Sequence, residues 1–235
     1  MTNRMALKET TLLNYTHPNI QTLIKSSGWR RLDPYHIIGA VYEFVRDAIK
    51  FGYNDKDTLK ASEVLSQGIG QCNTKAVLLM ALLRALDIPC KIEAFHVDAS
   101  FQKELLPPLL RKLSPKHFLH TSVLVEYDGS TIALEGHILD YDFLEGLHNK
   151  FPQHEGSFYG YGVATKDFNA LNINWNGKDT YIQKQAITKS LGVYDTPDAV
   201  FEVHGQVMGK IKTMLYRYSI RHLMNQRVQR IRNIK

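Results

Sequence analysis

Three side chains, Cys72, His120 and Glu135, have the types and spacing for acyl-transfer chemistry. Cys72 follows Gly68-Ile69-Gly70-Gln71 and opens the run Asn73-Thr74-Lys75-Ala76-Val77-Leu78-Leu79-Met80-Ala81-Leu82-Leu83. The two glycines let the backbone turn sharply. The run beyond them is apolar on nearly every face, which predicts a helix buried on several sides. A cysteine in the first turn of such a helix feels unpaired N–H groups and the positive end of the helix dipole, and both favour thiolate. An isolated cysteine serves equally well as a small core residue, so Cys72 needs partners before it becomes a nucleophile.

A β-hairpin supplies them. His120-Thr121-Ser122-Val123-Leu124-Val125-Glu126-Tyr127 and Ser130-Thr131-Ile132-Ala133-Leu134-Glu135 flank Asp128-Gly129, a strong turn former. With the turn centred there, His120 faces position 137 and Glu135 faces Ser122, one pair away. The carboxylate can then meet the far imidazole nitrogen if both point to one face. A helix-start cysteine, a strand-borne histidine and an adjacent carboxylate make a nucleophile, a base and its orienting group. Backbone N–H groups at the start of the helix could stabilise an oxyanion. Gln71 is either a further donor or a plain turn residue.

The elements that must position these groups are also legible. Residues 1–50 look helical, with Asp33-Pro34 as a helix start and Ile37, Ile38, Val41, Tyr42, Phe44, Val45 and Ile49 at helical spacing. A second short helix spans 58–66, and the Cys72 helix runs to about Leu86, where Asp87-Ile88-Pro89 ends it. Residues 91–97 predict a strand, followed by a loop carrying Pro107 and Pro108. Residues 146–202, rich in Gly, Asn and aromatics, are expected to be irregular. A terminal helix is expected over Val203–Lys235.

From about Val41 to Phe143 the chain resembles the transglutaminase-like superfamily of papain-like fold. The resemblance is carried by Phe44-Val45-Arg46-Asp47-Ala48-Ile49, by Gly68-Ile69-Gly70-Gln71-Cys72, by Leu82-Leu83-Arg84-Ala85-Leu86-Asp87-Ile88-Pro89, and by the hairpin from His120. It implies an α+β fold in which the cysteine-bearing helix packs on a small antiparallel sheet, with helices before it and a basic helix after. It further implies acyl transfer through Cys72 with His120 as base, with no cofactor and no metal. The sequence departs from the family pattern in three places. The family's usual aspartate falls at Glu135, which leaves Asp140 in reserve. Ser122 replaces a tryptophan two residues after the histidine, and Thr131 and Ile132 stand where another is common. The acidic ion loops of the calcium-dependent crosslinkers have no counterpart here, so hydrolysis or amide processing is favoured over crosslinking.

Other residues compete for these roles. His117 and His137 are solvated or supporting groups, and His96 a core or edge histidine. Read as a metal set, His117, His120 and His137 lack a second cysteine or a familiar helical spacing. Cys90, behind Pro89, suits inert packing.

The 235 residues, 44% hydrophobic and 22% charged, suit one transglutaminase-like domain over 1–202, its core about 41–145, with an appended helix over 203–235. The first residues hold no apolar run long enough for a secretory signal, and no segment reaches the roughly 18 apolar residues of a membrane span. Two cysteines are too few for a disulfide framework, so a reducing, cytoplasmic setting is expected. The net charge of +6 is uneven. Val203 to Lys235 carries eight basic residues and no Asp or Glu, leaving residues 1–202 at −2. In that tail Met208, Ile211, Leu215 and Tyr218 share a helical face, continued with a slight rotation by Ile220, Leu223, Met224, Val228, Ile231 and Ile234. The tail is either docked on its own domain or free for an anionic membrane or nucleic acid. The expected substrate is a peptide, protein or other amide. The alternative is an inactive relic of the fold that serves as a binding module, its basic tail the working surface.

Overall fold

A computed structural model describes residues 4–113, 115–205 and 209–235. Four helices lead the chain. Helix α1 (Pro18–Ser27) and helix α2 (Pro34–Asp47) both begin at a proline, whose fixed φ suits the first helical position. The Asp33 carboxylate caps α2 by accepting the His36 N–H at 3.2 Å. A two-residue strand β1 (Lys50–Phe51) pairs in parallel with β2 (Ile69–Gly70), and α3 (Ala61–Gln67) lies between them. Gly68 ends α3 at φ 64°, a left-handed turn that glycine adopts without penalty. Gly70 has another task. A Cβ there would press on the Lys75 and Thr74 side chains, so the second glycine gives room at the helix start rather than a turn.

Helix α4 (Cys72–Ala85) is buried at all fourteen positions. It packs on the sheet, whose strands β3 (Cys90–Asp98), β4 (His117–Tyr127), β5 (Ser130–Leu134) and β8 (Ile187–Tyr194) run in the order β5-β4-β3-β8. Their pairings are antiparallel. The β4–β5 hairpin pairs Val123 with Leu134 and Tyr127 with Ser130, the register expected from Asp128-Gly129. Both turn residues take positive φ, 49° and 72°, which suits the tight turn of a twisted two-residue hairpin. The architecture is thus α+β, a cysteine-bearing helix against a small antiparallel sheet. One apolar cluster joins α1, α2 and α4 to one face of that sheet. A second joins Cys72, Phe51 and Tyr53 to later parts of the chain.

Residues 146–202 are more ordered than expected. Helix α5 (Tyr141–Lys150) is capped by Asp140, short strands β6 (Phe158–Gly160) and β7 (Val163–Thr165) pair, and β8 adds the sheet edge beside β3. Helix α6 (Pro197–His204) follows with Thr196 as its cap. The C-terminal helix also differs from expectation. The described part begins with α7 (Lys210–Leu215), passes through a π-helical turn at Tyr216–Ile220, and ends in α8 (Arg221–Arg232). The wider turn rotates the apolar stripe, so Met224, Val228 and Ile231 face inward and are buried, whereas α7 buries nothing. Met208 lies outside the described residues. No described helix is long and apolar enough to cross a membrane.

Candidate active site

Cys72 occupies the first position of α4, where helix N–H groups lack intrahelical partners. The start of that helix is held by local polar contacts. The Gln71 N–H donates to Thr74 Oγ1 at 3.1 Å, and the Thr74 hydroxyl donates to Asn54 Oδ1 at 2.7 Å. Gln71 is tied on both sides of its amide, accepting from the Asn54 N–H at 2.9 Å and donating to Asp57 Oδ1 at 2.8 Å. It is a connector, and its amide is not turned to an oxyanion. Burial pushes the Asp57 carboxyl above its ordinary range, against its contacts with Gln71 and Asn73. Asn73 bolts the helix to the sheet, donating to the Leu119 carbonyl at 3.1 Å and accepting from the Thr121 hydroxyl at 3.1 Å. The Cys72 Sγ also points to Asn73 Oδ1, at 3.7 Å.

His120, on β4, is 0% exposed, and Cys72 is 6% exposed. The chain leaves the β4–β5 ladder after Leu134, so Glu135 swings off the strand end while staying beside His120. Its Oε1 lies 3.1 Å from His120 Nε2. Neither ring nitrogen has an aligned hydrogen-bond partner among the described residues, so this is a close ion-pair approach rather than a linear hydrogen bond. The carboxylate itself is fixed by the backbone. It accepts the Ile182 N–H at 2.5 Å and the Gln183 N–H at 3.0 Å, while the Glu135 N–H donates to the Thr180 carbonyl at 3.1 Å. Burial works to lower the His120 pKa, but polar contact with Cys72 and with Glu135, and the charges of both, push it up to about 10. Cys72 and Glu135 thus both favour the protonated imidazole against its burial.

Asp140 does not belong to this group. It caps α5 by accepting the Phe143 N–H at 3.2 Å, takes the Phe51 N–H at 2.7 Å, and pairs with Arg232 Nη2 at 2.8 Å. Burial would raise its pKa, and the Arg232 guanidinium holds it below the ordinary carboxylate value. Its work is to tie β1, α5 and the C-terminal helix together.

Two buried bases lie beside the site: Lys75, which sequence reasoning missed, and His137, which it weighs as a solvated or supporting group. Lys75, one turn into α4, is fully buried and donates to the Arg46 and Ile138 carbonyls, each at 3.0 Å. Burial lowers its pKa from 10.5 to about 7 against the pull of Asp140 and Asp47. His137 is not solvated but fully buried, and both ring nitrogens lack an aligned partner. Burial, then the charges of Lys75 and His120, keep it neutral far below the ordinary histidine pKa. His117 sits instead at the exposed start of β4, stacked on His96 at 6.5 Å. The described residues contain no group of three or more His, Cys, Asp or Glu placed to hold a metal ion. Cys90 is buried, with its thiol pushed up to about 11 by burial.

The fold and this pairing define a protein with a helix-borne cysteine facing a strand-borne histidine and its carboxylate. Residues 17–105 match the model of the transglutaminase-like superfamily. The match includes Cys72 and ends before His120 and Glu135. Among solved structures the chain is similar to a Cytophaga hutchinsonii protein provisionally named a cysteine protease. The identity is 12% and the TM-score 0.47, over 84% of this chain and 49% of the other. This chain thus spans about half the length of that protein. No curated protein matches the sequence.

Proposed function

We propose that the protein is a cysteine acyl hydrolase or acyltransferase acting on a peptide or amide bond, with Cys72 as nucleophile, His120 as base and acid, and Glu135 as orienting carboxylate. The observation that carries the reading is the buried His120, held between Cys72 and Glu135 and pushed up to about 10. In the first half-reaction the Cys72 sulfur adds to the carbonyl carbon while its proton resides on His120. The N–H groups of the first α4 turn are the nearest donors for the resulting oxyanion. The C–N bond then breaks as His120 gives its proton to the departing amine, leaving a thioester on Cys72. In the second half, water or an acceptor amine attacks the thioester and passes a proton to His120. The acyl product leaves, and the thiol is restored. Glu135 steadies the imidazolium and fixes its tautomer.

The backbone-anchored Glu135 suits this role although its residue type departs from the family's aspartate. A reducing setting such as the cytoplasm would keep the two thiols, free in this structure, from oxidation. The test is Cys72→Ala, assayed for amide hydrolysis on a peptide library beside its unfolding midpoint. The expected result is loss of activity with less than about 1.5 kcal/mol lost in stability, since the change removes one small buried group. A variant that fails to fold would make Cys72 a core residue and overturn the proposal.

A further inference from the structure

The helical segment Lys210–Ile220 has two faces, and the outer one is exposed. Tyr216 packs on the apolar cluster that contains Cys72, and so does Ile220. The Tyr216 hydroxyl donates to the Asn54 carbonyl at 3.2 Å, next to the Gln71–Thr74 contacts at the start of α4. Arg217 pairs with Asp55 at 3.4 Å, and the Asn225 side chain bonds the Tyr53 backbone on both sides, at 2.7 and 3.0 Å. These contacts hold a helical strap against the cluster that contains Cys72, and that cysteine retains only 6% exposure.

On the other side of the strap, Ile211, Met214, Leu215 and Tyr218 recur at i, i+3, i+4 and i+7. At about 3.6 residues per turn that spacing makes one stripe. They are 77%, 62%, 52% and 69% exposed. Lys210, Lys212 and Arg221 flank it, Arg217 beside them faces Asp55, and no acidic residue occurs between Val203 and Lys235. An apolar stripe edged by the cations of its own helix complements one surface above others, a bilayer with anionic headgroups over hydrocarbon. Nucleic acid would use the cations and leave the four apolar side chains in water.

We propose that Lys210–Ile220 is a strap whose outer face docks on an anionic lipid surface, and that docking draws Tyr216 off the cluster around Cys72 and exposes the cysteine. The consequence for activity rests on the reading of Cys72 as nucleophile, whereas docking and opening do not. The test is cosedimentation of the full chain with phosphatidylcholine vesicles, with and without phosphatidylserine, at low and high salt. Iodoacetamide labelling of the Cys72 peptide is followed in the same samples. The expected result is at least about tenfold tighter binding to the anionic vesicles, weakened by salt, with a several-fold rise in Cys72 labelling. The double variant Ile211→Asp/Leu215→Asp should lose both effects while its labelling without lipid stays unchanged. The proposal is overturned by equal binding to neutral vesicles, by binding that leaves labelling unchanged, or by effects that survive in the double variant. Binding to a short DNA duplex but not to vesicles, or self-association in place of lipid binding, overturns it equally. A Cys72 that is uncovered by lipid yet labels no faster than an ordinary thiol would sink the catalytic reading and leave the strap intact.

Discussion

Replacing Lys75 by Met tests the electrostatics around the site through stability alone. The ammonium is fully buried with two carbonyl partners, and its pKa falls from 10.5 to about 7. At about 1.4 kcal/mol per pH unit, that gap corresponds to about 5 kcal/mol of disfavoured charge at neutral pH. Because the folded pKa lies below the unfolded one, the unfolded chain binds more protons between the two values. Wild-type stability therefore rises with pH in that window relative to the Met variant, and the change saturates outside it. Against this, methionine leaves the Arg46 and Ile138 carbonyls without their donor, at about 1–3 kcal/mol each. At neutral pH the two effects nearly offset, so Lys75→Met should lie within about 2 kcal/mol of wild type or exceed it. Near pH 10 only the carbonyl penalty remains, and wild type should be more stable by roughly 2–6 kcal/mol. Urea denaturation of both proteins between about pH 7 and about pH 10 reads the difference directly, and contributions from other groups, His120 included, largely cancel in it. A difference that stays flat across this range would mean the lysine is not a depressed, buried base, and the reasoning fails.

The C-terminal helix offers two further tests. Arg232→Met strips Asp140 of its guanidinium and the Phe51 carbonyl of a donor at 2.9 Å, and should cost about 3–5 kcal/mol near pH 7. Because the Asp140 pKa is held low in the fold, this penalty should shrink as pH falls through that value, and a pH-independent loss under about 1 kcal/mol would contradict it. Gly146→Ala puts a Cβ into the Ile231 carbonyl where α5 crosses α8, a backbone atom that cannot swing away. It should cost about 1–3 kcal/mol and speed amide exchange in α8 first, and unchanged exchange there would refute the crossing.

Local signals made part of this molecule legible in the sequence. Asp33-Pro34, the buried run after Cys72, and Asp128-Gly129 between β-branched stretches each act over a few residues, and each fixed an element or a register. That register brings Glu135 to the strand end near His120, and its contacts with Thr180, Ile182 and Gln183, which the hairpin does not encode, fix the approach. The edge strand β8 left no such mark. It pairs on one side only, is mostly half-exposed or exposed, and carries Gly192 at φ 104° near a shift in its register. Helix α5 was hidden by Gly146, His148 and Asn149, weak helix formers that the crossing with α8 tolerates or requires. Lys75 was visible only as one charge in an apolar run. Its burial depends on carbonyls of Arg46 and Ile138, 29 and 63 residues away. The packing of Tyr216 on the cluster that contains Cys72 is likewise a long-range matter, which no helical pattern in the tail encodes.

The central claim concerns the state of Cys72 and His120, and it is tested without a substrate. The alkylation rate of Cys72 by iodoacetamide would be followed from acid to mildly alkaline pH in wild type, His120→Ala and Glu135→Gln, with the Cys72 peptide separated from Cys90 by mass spectrometry. The account predicts that wild type still labels well below the ordinary thiol pKa of about 8.5, that His120→Ala labels there at least about tenfold more slowly, and that Glu135→Gln falls between. Superimposable profiles in all three proteins would contradict it and leave Cys72 a buried thiol beside an unrelated ion pair.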